Sequence, residues 1–478
     1  MTGAATDAVL TKAAALMPEA VAAWSDFLRI PSISAQPDHA GDCRQAAAWA
    51  RDALAKLGFA AALHETEGHP VVVATHPGPD PDPDLDPDLD LGAAAPHLLY
   101  YGHYDVQPPE PLELWPSPPF TPTLVDGPRG QRMVARGAVD DKGQVAAWLG
   151  AFAAWFAATG TLPVRLTVLL EGEEEIGSPH LEPFLNTARA QLAADAAVIS
   201  DTNLWDFTTP AITTGLRGLL YVEIRARAAS RDLHSGLFGG VACNPINELV
   251  RALGALRDAA GLVQIPGFYD GVAEPDAAQK TAWAALGFDA AAFLGDVGLT
   301  TPSGETGRGV LERLWARPTA DLNGIWGGYA GPGAKTVIPA EAGAKISFRL
   351  VPGQNPEAIL AGLKRFLAAR VHPDLKLDYA LFGAAPGIAV ATDLPVVAAA
   401  RAALAEEYAR PPVLIGCGAS IPVVESLKRV LGLETLLMGF GLDDDQIHSP
   451  GEKFEIACFE HGLRAHIRLL GHLAARSG

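Results

Sequence analysis

Several short stretches of the chain carry imidazole or carboxylate groups beside glycines or at the ends of apolar runs. In chain order they are His103-x-Asp105, Asp140-Asp141, Glu173-Glu174-Glu175, Asp201, and Asp443-Asp444-Asp445 with His448. Imidazole nitrogens and carboxylate oxygens without thiolates are ligands that suit zinc, manganese or cobalt. Adjacent carboxylates can also supply one metal ligand and one general base. The pattern indicates metal-dependent chemistry if the fold brings these stretches together.

Asp140 lies between glycines at the start of a long apolar helix. By itself this arrangement is typical of a plain helix N-cap, where exposed N–H groups favour an anion. The predicted lengths point further, because a helix at Gly143–Ala158 rises about 24 Å and a strand at Val164–Glu171 about 26 Å. The strand therefore returns Glu175 to the level of Asp140.

Two further predicted strands end at residues that could bind a metal. The strand His97–Tyr101 leads to His103, and Ala196–Ser200 ends at Asp201. Ligands of open α/β sheets bind beyond the carboxyl ends of the strands. Because side chains alternate along a strand, Asp105 can accept the second N–H of His103. The alternatives are a satisfied turn histidine and, for the glutamate run, a solvated charge run.

The length and the order of the predicted elements indicate two domains. A chain of 478 residues is too long for one ordinary core. Alternating helices and strands come before Asp201, whereas Leu220–Ala228 alternates as a half-exposed antiparallel strand. We predict an α/β fold with a catalytic α/β domain at 1–210 and 385–478, and an inserted α+β lid and dimerisation domain at 211–384.

The remaining elements are predicted from periodicity and from glycine and proline positions. The predicted helices are Asp7–Arg29, Asp42–Leu57, Pro179–Leu192, Asn244–Leu256, Pro356–Ala369, Pro395–Tyr408, Ile421–Leu427 and Lys453–Ala475. The predicted strands are Phe59–His64, Val71–Thr75, Ala344–Val351, Lys376–Leu381, Pro412–Ile415 and Thr435–Met438.

The composition argues against several classes of partner. The formal net charge is −19, which disfavours binding to nucleic acid or to anionic membranes. The four cysteines are far apart, so neither a disulfide framework nor a thiolate zinc site is indicated. The N-terminal stretch lacks the basic flank and continuous apolar region of a signal peptide. We therefore expect a cytoplasmic protein.

Two unusual stretches have simple interpretations. The uncharged run Val145–Val164 is long enough to span a bilayer, but its glycines and Pro163 favour a helix buried within an α/β domain. The proline-aspartate repeat at 77–91 is predicted to be a solvated loop. A calcium site is the alternative for the repeat, although its prolines disfavour the curled loop of such sites.

Other catalytic templates fail on spacing. His64 and His69 lie five residues apart, whereas the helical zinc motif needs a separation of four. The stretch 328–336 imitates a phosphate loop, but Lys335 does not directly follow the glycine. The sequence also lacks a Gly-x-Ser-x-Gly elbow, so a serine hydrolase is not indicated.

Five motifs, taken in order, resemble those of the M20 metallopeptidases. They are His103-Tyr104-Asp105-Val106-Gln107-Pro108, Arg136-Gly137-Ala138-Val139-Asp140-Asp141-Lys142-Gly143, Glu171-Gly172-Glu173-Glu174-Glu175-Ile176-Gly177, Asp232-Leu233-His234-Ser235-Gly236 and Ile447-His448-Ser449. The resemblance covers nearly the whole chain. Leu114-Trp115 and the stretch Arg349-Leu350-Val351-Pro352 are most similar to the dipeptidase branch, which includes carnosine dipeptidases.

The resemblance implies two divalent metal ions, zinc or alternatively manganese or cobalt, in a catalytic domain interrupted by a lid that forms a homodimer. His103 and Asp201 would bind one ion, Glu175 and His448 the other, and Asp140 would bridge them. A cis peptide is expected after Asp140, and Asp141 is expected to hold the bend without binding metal.

The resemblance also implies roles in hydrolysis of dipeptides or small peptides. Glu174 would be the general base that takes a proton from a water bridging the metals, and Asp105 would support His103. His234 would stabilise the oxyanion in the partner subunit, and Arg349 would pair with the terminal carboxylate of the substrate. A surface turn histidine and a strand-surface arginine are the alternatives for these two. Ser420 and Asn323 are expected to be further substrate-binding residues.

One departure leaves the substrate open. Dipeptidase relatives often carry a basic residue and Gly-Gly before Ser-Ile-Pro, where this chain has Gly416-Cys417-Gly418-Ala419. Cys417 could lie near the metals or be an inert buried thiol. Besides the dipeptidase, an N-acyl-amino-acid deacylase of the same family and a catalytically inactive metal-binding protein remain alternative functions.

Overall fold

The computed structural model describes residues 2–79, 95–418 and 421–475. Most of the proline-aspartate repeat and Ser420 lie outside the described residues. The chain divides into two compact units. Unit 1 comprises Met1–Thr214, Val390–Leu414 and Ser426–Gly478, and unit 2 comprises Gly215–Ala389 and Ile415–Glu425. The predicted roles of a catalytic domain and a lid stay predictions.

The helices and strands alternate along much of the chain, as expected for an α/β fold. In chain order the helices are α1 (Thr2–Leu28), α2 (Ala40–Lys56), α3 (Lys142–Thr159), α4 (Leu181–Thr187), α5 (Ser235–Phe238), α6 (Pro245–Gly254), α7 (Ala277–Ala284), α8 (Ala290–Gly295), α9 (Val310–Trp315), α10 (Pro356–Ala368), α11 (Pro395–Tyr408), α12 (Pro422–Ser426) and α13 (Ile456–Ala475). The strands are β1 (Ala60–His64), β2 (Val71–His76), β3 (His97–His103), β4 (Thr123–Gly127), β5 (Gly130–Val134), β6 (Arg165–Glu171), β7 (Ala196–Ile199), β8 (Ala211–Leu216), β9 (Gly218–Arg227), β10 (Leu233–His234), β11 (Thr319–Gly327), β12 (Val337–Ile338), β13 (Glu341–Leu350), β14 (Lys376–Ala385), β15 (Ile388–Ala389), β16 (Val413–Cys417), β17 (Thr435–Leu437) and β18 (Lys453–Glu455).

Unit 1 is built on a mixed sheet with the strand order β1-β2-β6-β3-β7-β17-β8. The central strands β6, β3, β7 and β17 run parallel, and β2 pairs antiparallel with β1 and β6. The strands at the centre are almost wholly buried, as expected for parallel strands covered on both faces. The predicted α/β fold class is confirmed.

Helix α3 packs within the core of unit 1, against α1 and α13. Trp148 and Phe152 from this helix contact the ring of Tyr100 on β3, with centroids 5.4 and 5.3 Å away. The uncharged run is therefore a buried helix, as predicted. None of the helices in the described part of the chain has the length and apolar character needed to cross a membrane.

A small antiparallel sheet with the order β18-β5-β4 also belongs to unit 1 and was missed in the sequence. Lys453 pairs with Val134, and Glu455 pairs with Arg132. The predicted start of the last helix at Lys453 is therefore wrong, because this pairing makes 453–455 a strand and the helix begins at Ile456.

Two other helix predictions differ from the structure. The helix predicted at Pro179–Leu192 covers only Leu181–Thr187, since Ala188 leaves helical geometry and a turn follows. The helix predicted at Ile421–Leu427 covers Pro422–Ser426 and continues as a π-helical turn at Leu427–Leu431.

Unit 2 contains a four-stranded antiparallel sheet with the order β11-β13-β9-β14. Alternate residues on one face, among them Leu220, Val222 and Phe348, form a core with α6 and α10. Most of the intervening residues of β9 and β13 are partly or fully exposed, and Glu223 and Gly343 are the buried exceptions. The period of two predicted for this strand region is therefore confirmed.

Candidate metal centre

Three neighbouring parallel strands of unit 1 end at the same edge of the sheet. In the order β6-β3-β7, Glu171 lies opposite His103, and Tyr101 lies opposite Ile199. The residues that follow β6 and β7 include Glu175 and Asp201. Because parallel strands place their carboxyl ends together, these side chains approach one another beyond the sheet.

The five predicted metal-binding residues form two overlapping groups. They are His103, Asp140 and Asp201 in one group, and Asp140, Glu175 and His448 in the other, with the ligand atoms of each group within 4.8 Å of one another. Asp140 contributes to both groups. Its Oδ1 lies 3.1 Å from His103 Nε2, and its Oδ2 lies 3.0 Å from His448 Nε2.

The outer carboxylates complete the two groups. Asp201 Oδ2 lies 3.9 Å from His103 Nε2, and Glu175 Oε2 lies 3.1 Å from His448 Nε2. Each group therefore offers one imidazole nitrogen and oxygens from two carboxylates, a donor set that suits zinc, manganese or cobalt.

Two further observations suit bound cations: a buried histidine nitrogen lacks a hydrogen-bond partner, and the pKa values of several surrounding acids are raised. His103 Nε2 is buried without a hydrogen-bond partner, although Asp140 is close to it. Burial, followed by the charge of Asp140, raises the pKa of Asp201 to about 7. Burial also raises the pKa of Glu174 and Glu175, and neighbouring carboxylates add to both shifts. Divalent cations between these groups would relieve that repulsion.

Asp140 is the exception among these acids. Burial would raise its pKa, but its contacts with His103 and His448 outweigh burial and lower the pKa below the usual range. Of these acids, Asp140 is therefore the one that ionises most readily, as suits the carboxylate that is predicted to bridge two cations.

Asp105 lies behind His103 and connects the two groups. Asp105 accepts a hydrogen bond from His103 Nδ1, on the side of the ring away from Asp140, through its backbone carbonyl at 3.2 Å. Its Oδ1 lies 3.3 Å from the same nitrogen but has no hydrogen-bond partner. Its Oδ2 accepts hydrogen bonds from the Ser34 hydroxyl at 2.6 Å and from the Glu175 backbone N–H at 3.1 Å. Asp105 therefore orients a histidine of the first group through its backbone carbonyl and the backbone of a glutamate of the second through its carboxylate.

Gln107 is a residue that the sequence reasoning did not single out for a role. Its Nε2 donates to Glu175 Oε2 at 2.9 Å and to the Glu175 carbonyl at 3.1 Å. It thereby restricts the rotamer of a predicted ligand. The sequence feature that could have pointed to Gln107 is its position in the Asp-Val-Gln-Pro stretch, two residues after Asp105.

The turn at Asp140-Asp141 has the predicted geometry. The peptide between the two residues is cis, which confirms the expectation. Asp141 occupies the N-cap position of α3 without a side-chain capping bond, and its Oδ2 instead accepts the His103 backbone N–H at 3.1 Å. The loop is tight, since a Cβ on Gly143 would lie 1.9 Å from the Ala138 carbonyl oxygen.

Two other acids hold the loop that presents Glu174 and Glu175. Glu171 accepts hydrogen bonds from the Tyr101 hydroxyl at 2.5 Å and from the Ser178 hydroxyl at 2.9 Å. Glu173 accepts from the His69 backbone N–H at 3.2 Å. The sequence contains no signal that separates these supporting acids from their neighbours.

The predicted substrate-binding and oxyanion residues belong to unit 2. His234 is exposed on β10, and its Nδ1 accepts the Gly236 backbone N–H at 2.9 Å. Arg349 is partly exposed on β13, and Asn323 is exposed at an irregularity of β11. Ser420 lies outside the described residues.

Arg217 is a second arginine near Arg349 that sequence reasoning missed. Leu219 pairs with Arg349 across β9 and β13, and Arg217 lies two residues before Leu219, directly before β9. Arg217 Nε donates to the Gly418 carbonyl at 2.9 Å. Burial, followed by the charge of Arg349, lowers the pKa of Arg217 to about 10.

The fold and these motifs are those of a known peptidase family. The model of peptidase family M20/M25/M40 matches residues 99–472. The chain therefore belongs to this family, and it is a metallopeptidase of the M20 type, which implies divalent metal ions. The resemblance found in the sequence is confirmed.

The similar proteins include several dipeptidases. A Beta-Ala-His dipeptidase of Homo sapiens is 34% identical over 361 residues, which cover 74% of this chain and 70% of that protein. A Cys-Gly metallodipeptidase of Schizosaccharomyces pombe is 32% identical over 385 residues, or 80% of each chain. The crystal structure of human carnosine dipeptidase 1 superposes with a TM-score of 0.79 at 28% identity, covering 98% of this chain and 99% of that one.

Proposed function

We propose that this metallopeptidase hydrolyses dipeptides or small peptides with two divalent cations that share Asp140. The observation that carries the proposal is the pair of overlapping ligand groups, which present the two oxygens of one carboxylate to two histidines. The dipeptidase names of the relatives support the same substrate class. His103 and Asp201 would complete one site, and Glu175 and His448 the other.

The bound cations would polarise the scissile carbonyl and lower the pKa of water. Glu174 is the proposed general base. It belongs to neither ligand group, but it lies three residues after the end of β6. The charges of Asp201, Glu175 and Asp140 act on its carboxyl group. Its carboxylate takes a proton from the attacking water and passes it to the leaving amine. Asp105 keeps the His103 ring oriented during this step.

Unit 2 supplies the proposed contacts with the substrate. Arg349 would bind the terminal carboxylate through its two-pronged guanidinium group, and Asn323 and Ser420 would add polar contacts. His234 would donate to the oxyanion in the active site of the partner subunit.

A homodimer through unit 2 is part of this proposal. Large apolar side chains are exposed in α5 and the residues that follow it, namely Leu237, Phe238 and Val241, with exposed fractions of 78%, 41% and 90%. Clustered exposed apolar groups are typical of interaction surfaces. A dimer contact at this segment would cover them and bring His234 to the partner subunit.

Zinc is the proposed metal, and manganese and cobalt suit the same nitrogen and oxygen donors. A cytoplasmic location is also proposed. All four cysteines are free thiols, which suits a reducing compartment.

A substrate panel tests the proposed function. The purified protein is incubated with zinc, manganese or cobalt and assayed on β-alanyl-histidine, cysteinyl-glycine and a set of α-dipeptides, with N-acetylated amino acids in parallel. The expected result is hydrolysis of dipeptides that depends on added metal. Activity confined to the acetylated amino acids would favour the deacylase, and metal binding without any turnover would favour an inactive metal-binding protein.

A further inference from the structure

Glu452 is a fully buried glutamate that the proposed mechanism does not use. Its exposed fraction is 0%, and it lies four residues after His448 and directly before β18. A buried carboxylate is costly unless hydrogen bonds and a positive charge compensate it. The partners of Glu452 therefore indicate why it is there.

Both carboxylate oxygens of Glu452 bind the loop that carries Asp140. Oε1 accepts the backbone N–H groups of Val139 at 3.0 Å and Asp140 at 3.1 Å. Oε2 accepts the backbone N–H of Gly137 at 2.9 Å and Nη1 of Arg136 at 2.8 Å. One side chain thus receives hydrogen bonds from three backbone groups and one guanidinium group.

The backbone of Glu452 ties the same two segments together. Its carbonyl accepts the Ala135 N–H at 3.1 Å, which extends the pairing of Lys453 with Val134 in the small sheet. Strand β5 runs directly into the loop of Asp140, and β18 directly follows the loop of His448. Glu452 therefore lies where the loop of His448 enters β18, next to the point where the loop of Asp140 leaves β5.

Arg136 compensates the charge of Glu452 and is itself held in place by its surroundings. Its exposed fraction is 1%, and its guanidinium carbon lies 5.3 Å from the centre of the Trp115 ring. The same group donates to the Pro108 carbonyl at 3.3 Å. The pair of buried charges is thus anchored to the loop after β3 as well as to the loop of Asp140.

We propose that Glu452 is a positioning residue that couples Asp140 to His448 and thereby sets the metal affinity of the group that contains both. This inference rests on the proposed function, because it takes these two residues as metal ligands. Glu452 is not itself a ligand, since its two oxygens are directed to the four N–H donors. It holds the backbone of the bridging aspartate at the distance that the loop of His448 requires.

The test is the variant Glu452→Gln. The side chain keeps its shape, but the amide N–H₂ faces two donors in place of an acceptor, so two of the four hydrogen bonds are lost. Loss of an outer partner of a metal ligand typically weakens metal binding or activity about 10- to 100-fold. Zinc and manganese are titrated into the metal-free variant and wild type, and the two binding constants are compared.

The expected pattern is specific to positioning. Affinity should fall about 10- to 100-fold for the ion held by the group that contains Asp140 and His448, and less for the other ion, whose group shares only Asp140. The kcat should fall with it while KM for a dipeptide changes less than about 3-fold. Excess metal should restore part of the activity. Wild-type affinity for both ions in the folded variant would overturn the inference.

Glu455→Gln is the matched control. Glu455 is also fully buried and lies on β18, but its carboxylate faces Lys453 Nζ at 3.2 Å and Arg129 Nη1 at 3.7 Å. This change should lower the melting temperature without changing metal affinity. Equal losses of metal affinity in both variants would show a general effect of stability and would overturn positioning.

Glu452→Asp covers the case in which the glutamine variant fails to fold. Aspartate keeps the charge opposite Arg136 but is one methylene too short to reach all four donors, so the same ion should bind more weakly. Unchanged affinity in this variant would count against the inference. A wild-type protein that binds no divalent ion would overturn the proposed function and this inference together, whereas two bound ions with unaffected variants would overturn the inference alone.

Discussion

The predicted site residues of the two units lie in different environments. In unit 1, His103 and Asp105 have exposed fractions of 0% and Asp140 of 8%, and other groups hold each of them through hydrogen bonds or ion pairs. His448 is the exception in unit 1, because its side chain is 51% exposed. In unit 2, His234 and Asn323 are exposed on short or irregular strands. All residues of the two candidate ligand groups thus belong to unit 1. The side chains of His234 and Asn323 in unit 2 are instead open to contact with a substrate or a partner subunit.

This difference has a consequence for function. A largely buried site whose side chains are held by hydrogen bonds and ion pairs can position the reacting groups before the substrate binds. Such preorganisation accounts for a large part of the rate enhancement of many enzymes. Exposed residues gain their role only when a substrate or a partner subunit contacts them. We therefore expect variants in unit 1 to change the chemical step, and variants in unit 2 to change substrate binding or to depend on the partner.

Glu174→Gln should have the largest effect. Removal of the general base is expected to lower kcat by about 10²- to 10⁴-fold or more. Metal content should stay near that of the wild type, because Glu174 is in neither ligand group. Steady-state kinetics with metal analysis of the same sample measures both. Full turnover by this variant would remove Glu174 from the mechanism.

His234→Ala should come next and should reveal whether the partner contributes. Loss of an oxyanion donor typically lowers kcat by about 10²- to 10³-fold. Mixed dimers of His234→Ala and Glu174→Gln subunits, isolated with two different tags, should recover activity at one of their two sites. In that site, an intact Glu174 meets the His234 of the other subunit. Verified heterodimers that stay inactive would argue against this arrangement.

Arg349→Met should have the smallest effect of the three and should act mainly on binding. A hydrogen bond to a charged group contributes about 1.5–3 kcal/mol, so KM for dipeptides should rise about 10- to 150-fold. Dipeptide amides, which lack the terminal carboxylate, should be affected much less. Arg227→Met is the control, because Arg227 lies on β9 of the same sheet and pairs with Glu341 at 2.7 Å. Equal changes in both variants would contradict the assigned contact.

Much of the metal centre could be predicted from the sequence. Apolar runs bounded by glycine and proline predicted β3, β6 and β7, and parallel strands with ends at one edge bring His103, Glu175 and Asp201 together. Helix α3 lies between β3 and β6 in the chain, and its predicted length matches that of β6. Its start, and with it Asp140, was therefore predicted to lie at the same edge as these residues. These inferences needed only local periodicity and chain lengths.

The supporting contacts could not be predicted because they depend on pairing between distant segments. Strands β5 and β18 are separated by more than three hundred positions in the numbering, so neither their register nor the position of Glu452 between the loops has a local signal. Likewise, Glu171 and Glu173 differ from Glu174 and Glu175 only in the partners that the folded chain gives them. The start of α13 was predicted too early for the same reason, since β18 continues the apolar pattern of the helix.

The positions of the bound metal ions show directly whether two cations share Asp140. Crystals of the protein loaded with zinc or manganese are measured at the absorption edge of the metal, so that anomalous difference maps locate each ion. We expect two ions about 3.5–4 Å apart, one held by Asp140 with His103 and Asp201, and the other held by Asp140 with Glu175 and His448. A single ion, or two ions of which neither contacts Asp140, would contradict it.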